Sequence, residues 1–163
     1  MNGGLRMETT RHVLGLAVCV LICFAAAGIG SIWTSATVGT WYKSLLKPPW
    51  QPPNWLFGPV WTVLYLLMGI SLWLVWRKVG LAPGPIGWFA GQLALNALWS
   101  GLFFGLQMPG AAFAEIVVLW LAIAGTIVAF WGVSPVAGAL LIPYLGWVTF
   151  ASALNFTIWR LNA

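Results

Sequence analysis

GAAFAEIVVLWLAIAGTIVAFW, residues 110–131, carries one charged side chain, Glu115, through an otherwise apolar run. A hydrocarbon core about 30 Å thick takes about 20 residues at 1.5 Å rise each, so this stretch reads as a transmembrane helix. Outward from it, four more runs match the same description, at approximately 13–33, 57–76, 86–106 and 136–159. The composition agrees: 61% of the 163 residues are hydrophobic and 6% are charged, outside the range of soluble domains. A soluble fold of this size would leave roughly a third of its unfolded surface in water, so lipid has to be the solvent. The expected fold is an all-α integral membrane protein, a single domain over residues 1–163 built as a bundle of five transmembrane helices. Breakers separate the runs: a proline-rich loop at 34–56, then RKVGLAPGP, QMPG and GVSP, with Pro at or near the next helix start, where its missing N–H costs nothing.

The charges agree with this reading. Arg6, Arg11, Lys43, Lys47, Arg77, Lys78 and Arg160 stand against Glu8 and Glu115, and nearly all flank apolar runs. That pattern belongs to membrane topology and not to nucleic-acid binding. Five spans put the termini on opposite faces, and four cations against three leave the orientation undecided. Arg6 and Arg11 before a run ending in FAAAG also fit a signal peptide, but the run continues to Trp33 and is long enough to span. Cys19 and Cys23 lie one helical turn apart in an apolar run and read as small packing residues. With His12 the sole histidine, no zinc site is expected.

The chain holds 13 tryptophans. Indoles favour membrane interfaces, where the ring is apolar and the N–H stays wet, which accounts for Trp33, Trp73, Trp76, Trp88, Trp131 and Trp159 near span ends. Trp99, Trp120 and Trp147 fall near mid-span, where each N–H must meet a polar group or line a cavity. Candidate partners are Gln92, Asn96 and Ser100 in the third span and Thr149, Ser152 and Asn155 in the fifth. The first three repeat every fourth residue and form one polar stripe, which either glues helices together or contacts a ligand. Pro143 predicts a kink in the fifth span, with Trp147 and Ala151 following at one-turn intervals. Glu115, a carboxylate two turns into its span, is either functional or snorkels to the interface. Gly87 with Gly91 and Ala90 with Ala94, like Gly101 with Gly105, place small residues four apart. They suggest a homodimer through the third span, or packing within one chain.

Taken together, WYKSLLKPPWQPPNWLFGPVWTVLY (41–65), QLALNALWSGLFFG (92–105) and LIPYLGWVTFASALNFTIWRLN (141–162) closely resemble the tryptophan-rich sensory protein and translocator protein family, also called the peripheral-type benzodiazepine receptor family. The resemblance runs from the end of the first span to the C-terminus. It implies a five-helix bundle, often dimeric, whose first loop closes as a lid over a cavity for tetrapyrroles such as protoporphyrin IX and haem, for sterols, and for benzodiazepine-type ligands. By motif, the ligand-binding positions would be Trp50 and Phe57 of the loop, Trp61, Asn96, Trp147 and Ala151. The resemblance implies no catalytic residue, no metal and no obligatory cofactor; porphyrin or haem is the ligand. Two departures stand out: Pro49 replaces the Ser or Trp often found before the loop tryptophan, and Leu154 and Arg160 enclose Phe156 and no tyrosine, which weakens the case for the family's sterol motif.

The favoured role is therefore a membrane receptor or transporter-like protein for tetrapyrroles, acting in porphyrin transport or sensing. The alternative is an enzyme for light- and oxygen-dependent porphyrin breakdown, although no nucleophile, base and orienter set is visible. Pro49 and Pro52 also satisfy PxxP, but tryptophans hem in that segment between two spans.

Overall fold

The computed structural model describes the backbone of residues 2–163 and the side chains from Glu8 onward. The described residues form helices and no strand, in the order α1 (Asn2–Thr37), α2 (Trp41–Ser44), α3 (Asn54–Val79), α4 (Pro83–Ser100), α5 (Pro109–Val133), α6 (Pro135–Leu140) and α7 (Ile142–Leu161). Four stretches among them are long and apolar enough to cross a membrane: Glu8–Thr37, Asn54–Val79, Pro109–Val133 and Pro135–Leu161. The run expected at 86–106 is helical too, as α4 followed by a π-helical turn at Gly101–Gly105. Its polar stripe and the prolines and glycines of its first turn keep it below that apolarity.

Several boundaries differ from the sequence expectation for local reasons. The loop expected at 34–56 shrinks to 38–53 and contains α2. The last turn of α1 is held by the Thr34 and Thr37 hydroxyls, which donate to the Gly30 and Trp33 carbonyls at 3.1 and 3.2 Å. Pro53, extended at φ −58° and ψ 142°, sits at the N-cap of α3, so helix begins as soon as the prolines end. In the last span the break falls at Leu141, between α6 and α7, and Pro143 occupies the first turn of α7. The proline has no N–H for the Ala139 carbonyl. The chain tightens instead, with Leu141 N–H donating to Gly138 O and Leu145 N–H to Leu141 O, both at 3.1 Å.

α4 packs on α5, α1 lies against both α3 and α4, and α5 also carries α6 and α7. In lipid, helix association depends on close packing and interhelical hydrogen bonds, because the tails are as apolar as the side chains. Close approach is visible at Gly69, where a Cβ would lie 2.8 Å from the Val20 Cα. The core between the helices includes Cys23, Met68, Val75, Ile123 and Tyr144, with Phe89 stacked on Phe130 at 5.6 Å. Cys19 and Cys23 are free thiols within this core. Ser71 donates to the Ala137 carbonyl at 2.7 Å and ties α3 to α6.

The span-end tryptophans do more than sit at an interface. A Cβ added to Gly15, Gly105, Gly110, Gly125 or Gly138 would meet the ring of Trp76, Trp33, Trp159, Trp88 or Trp131 respectively, at 2.4 to 2.9 Å. Each indole fills the gap that a glycine leaves, and most of these contacts join two helices. Gly87, Ala90, Gly91 and Ala94 are different: all four are exposed, and a Cβ on Gly87 or Gly91 would meet nothing within 4 Å. Those two glycines are not used in packing within the chain.

Candidate ligand-binding cavity

A cavity of about 620 Å³ lies between α1, α3, α4 with its π turn, and α7, with Tyr42 of α2 at one end. Its wall is mostly apolar. The π turn shapes one side: Leu106 N–H reaches back five residues to Gly101 O at 2.8 Å, and Met108 N–H to Leu102 O at 3.0 Å. The wider turn places Phe103 and Phe104 against the Tyr42 ring, with centroids 6.1 and 5.5 Å away. Gln107 then ends the turn with a positive φ of 56°. The π turn ends α4 and leads into the loop before α5, and nothing in the apolar periodicity announces it.

The three mid-span tryptophans divide as their depth requires. Trp99 Nε1–H donates to Asn155 Oδ1 at 3.0 Å, and Trp120 Nε1–H to Thr149 Oγ1 at 2.8 Å. Asn155 Nδ2 donates in turn to the Pro109 carbonyl at 2.8 Å. Trp147 lines the cavity, and its indole nitrogen is buried with no hydrogen-bond partner in the protein. A buried donor left unpaired costs about 1–3 kcal/mol, so a ligand acceptor would gain by meeting it.

Five of the six positions expected from motif line this cavity: Phe57, Trp61, Asn96, Trp147 and Ala151. Phe57 meets the Trp147 ring edge-on at 5.7 Å. Trp61 packs on Tyr65 and Tyr144 at 5.5 and 6.1 Å. Asn96 is the polar centre of the cavity floor, accepting from the Tyr65 hydroxyl and donating from Nδ2 to the Tyr144 hydroxyl at 3.0 Å. Trp50 stands outside the lining. It is 48% exposed and meets Phe150 edge-on at 5.9 Å, while Phe150 packs on Trp147 at 5.4 Å. Its contact with the site is relayed through one ring, because the prolines before it carry the loop past the mouth.

The polar stripe of α4 divides as well. Asn96 and Ser100 line the cavity, whereas Gln92 is buried beside Met68, with Nε2 4.0 Å from the sulfur and Oε1 unpaired. Glu115 is buried on α5 away from the cavity, with neither carboxyl oxygen hydrogen-bonded to the protein. Ser100 belongs to the polar stripe read from the sequence, whereas Tyr65, which also lines the cavity, is not among the residues that reading singles out. The depth rule applied to tryptophan would have flagged Tyr65, since a phenol at mid-span also needs a partner.

The loop at 38–53 is tied to the end of α7 through Leu46 and stiffened internally by Lys47. Asn162, just past α7, accepts from Leu46 N–H at 3.0 Å and donates to Leu46 O at 2.9 Å, so one side chain satisfies both backbone groups of a loop residue. Lys47 Nζ donates to the Leu45 and Lys43 carbonyls at 3.0 and 3.3 Å and lies 4.7 Å from the Tyr42 ring centre. Partial burial lowers the Lys47 ammonium below its usual range, and burial pushes the Tyr42 phenol up to about 12.

Apolar helices around an aromatic cavity of small-molecule size define a helical membrane protein with an internal cavity. Comparison with known sequences gives the family: residues 19–160 match the TspO/MBR family, and the chain belongs to it. It is 47% identical over 156 residues to the tryptophan-rich protein TspO of Chlorobaculum tepidum, covering 93% of this chain and 98% of that one. It is 43% identical over 138 residues to the human translocator protein, 82% of each chain. With the tryptophan-rich sensory protein of Cereibacter sphaeroides it shares 43% identity over 122 residues, 75% of this chain and 77% of that protein. The protein is an integral membrane protein.

Proposed function

We propose that this protein binds a flat tetrapyrrole, protoporphyrin IX or haem, in the cavity between α1, α3, α4 and α7, as a step in porphyrin transport or sensing. In this reading α4 and its π turn are the third span in chain order and bring the bundle to five. The 18 residues of α4 reach about 27 Å at 1.5 Å per residue, before the π turn adds to them. The observation that carries the proposal is the pairing of aromatic walls with one unused buried donor. Phe57, Trp61, Trp99 and Trp147 offer ring faces and edges to an apolar macrocycle, and Trp147 Nε1–H is a buried donor that no protein group satisfies. A volume of about 620 Å³ lies within the range of roughly 300–1,000 Å³ typical of small-molecule sites.

The test is quenching of tryptophan fluorescence by protoporphyrin IX in the purified protein and in the Trp61→Leu/Trp147→Leu double variant. The expected result is a loss of affinity of about tenfold or more, as for two stacking contacts of about 1 kcal/mol each. Unchanged affinity in a double variant with native helical content would overturn the site.

A further inference from the structure

A second concavity, an open groove of about 1160 Å³, runs along the outside of the bundle between α1 and α4 and is separate from the tetrapyrrole cavity. Leu14, Gly15 and Val18 of α1 form one bank, Ala90 and Ala94 of α4 the other, and Trp76 of α3 lies at one end. The groove exists because α4 presents alanines where a larger side chain would fill the space. Among the described residues its one charged lining residue is Arg11, at the end where α1 begins and α3 finishes. From Arg11 to Ile29 it follows α1 for roughly 27 Å at 1.5 Å per residue, so its Arg11 half matches the depth of one leaflet, about 15 Å.

We propose that the Arg11 half of this groove is a binding site for an anionic phospholipid of the surrounding bilayer, its phosphate on Arg11 and an acyl chain along Ala90. Charge complementarity selects this occupant. The Arg11 guanidinium lies 5.7 Å from the Trp76 ring centre, and Arg77 lies 4.5 Å from that of Trp73. Trp73 Nε1–H donates to the His12 carbonyl at 3.0 Å, fixing the end of α3 against the start of α1. Lys78 is exposed on the same end and donates to the Val133 carbonyl at 3.1 Å. Glu8 is the acidic side chain among the described residues there, so this end is net positive. A guanidinium held on an indole face keeps its N–H fork free for two phosphate oxygens, and basic pockets between transmembrane helices suit anionic headgroups. A zwitterionic lipid would bring its own cation to the same cluster and gain less.

The experiment is native mass spectrometry of the protein released from nanodiscs of equal parts phosphatidylglycerol and phosphatidylcholine. The wild type should retain phosphatidylglycerol preferentially. Arg11→Gln should cut that retention about fivefold, the worth of one cation near an anionic surface, while Arg11→Lys, which keeps the charge and loses the fork, should retain more than Arg11→Gln and less than the wild type. Ala90→Phe, which fills the groove and leaves the charge, should reduce retention of phosphatidylglycerol, and Val118→Phe on the exposed face of α5 should not. Equal retention of the two lipids, or no loss in Arg11→Gln, would overturn the proposal. So would an Ala90→Phe variant that splits a dimer yet keeps its phosphatidylglycerol, since the groove would then belong to a second copy. Should Ala90→Phe fail to fold, the contrast between Arg11→Gln and Arg11→Lys still decides.

Discussion

Replacing Asn96 with Leu removes the acceptor for the Tyr65 hydroxyl and the donor to the Tyr144 hydroxyl at one stroke. Tyr144 is fully buried, so water cannot reach its hydroxyl, whereas Tyr65 borders the cavity. Measured against water, two stranded hydroxyls would cost about 1–3 kcal/mol each. Between transmembrane helices the average hydrogen bond is worth only about 0.6 kcal/mol and the best about 1.7, because the unfolded chain in lipid also finds partners. The membrane scale governs here, and Asn96→Leu should lose about 1–3 kcal/mol in all. A double-mutant cycle isolates the network from packing. Tyr65→Phe should lose about 0.6–1.7 kcal/mol in the wild type and close to nothing in the Asn96→Leu background. The assay is reversible unfolding in mixed micelles, followed by circular dichroism. Porphyrin affinity should fall in parallel, since both tyrosines pack on Trp61. Losses that simply add, within about 0.3–0.5 kcal/mol, would refute the reasoning.

Asn162→Ala frees both backbone groups of Leu46 and so loosens the loop at 38–53 from the end of α7. Amide exchange at Leu46 should accelerate, and the association and dissociation rates of protoporphyrin IX in stopped flow should rise together; unchanged rates would mean that ligand enters elsewhere. Gly69→Ala drives a methyl towards the Val20 backbone, 2.8 Å away, and should cost about 1–3 kcal/mol of stability by the same unfolding assay. Burial raises the Tyr42 pKa from 10.0 to about 12, so the buried neutral phenol contributes stability that is fully present below pH 10 and is lost as pH rises towards 12. Tyr42→Phe should remove that part of the alkaline loss, read as the difference between the two unfolding-against-pH curves.

Much of the architecture was legible because the bilayer imposes simple rules. Length and apolarity mark α1, α3, α5 and the α6–α7 segment. The rule that a mid-span indole needs a partner or a cavity anticipated the separate fates of Trp99, Trp120 and Trp147. Asn96 and Ala151 were reachable by helical spacing from neighbours of the same kind. What stayed hidden depends on three-dimensional register. The π turn at Gly101–Gly105 has no signature in hydropathy, since one extra residue per turn changes direction and not composition. The indoles seated on glycines looked like an interface belt, because pairing Trp88 with Gly125 or Trp159 with Gly110 requires knowing which helices touch. Trp50 differs for the reverse reason: motif carries it to the cavity lining, while the loop leaves it half-exposed on Phe150, outside that lining. The latch at Asn162 joins residues 116 apart in sequence, beyond the reach of any local pattern.

The most direct test of the account is a structure of the protein with protoporphyrin IX bound in a lipid bilayer. The macrocycle should lie between α1, α3, α4 and α7, stacked among Trp61, Trp99 and Trp147, with an acceptor within hydrogen-bond distance of Trp147 Nε1. Porphyrin found only on the lipid-facing surface, with Trp147 Nε1 still unpaired, would contradict it.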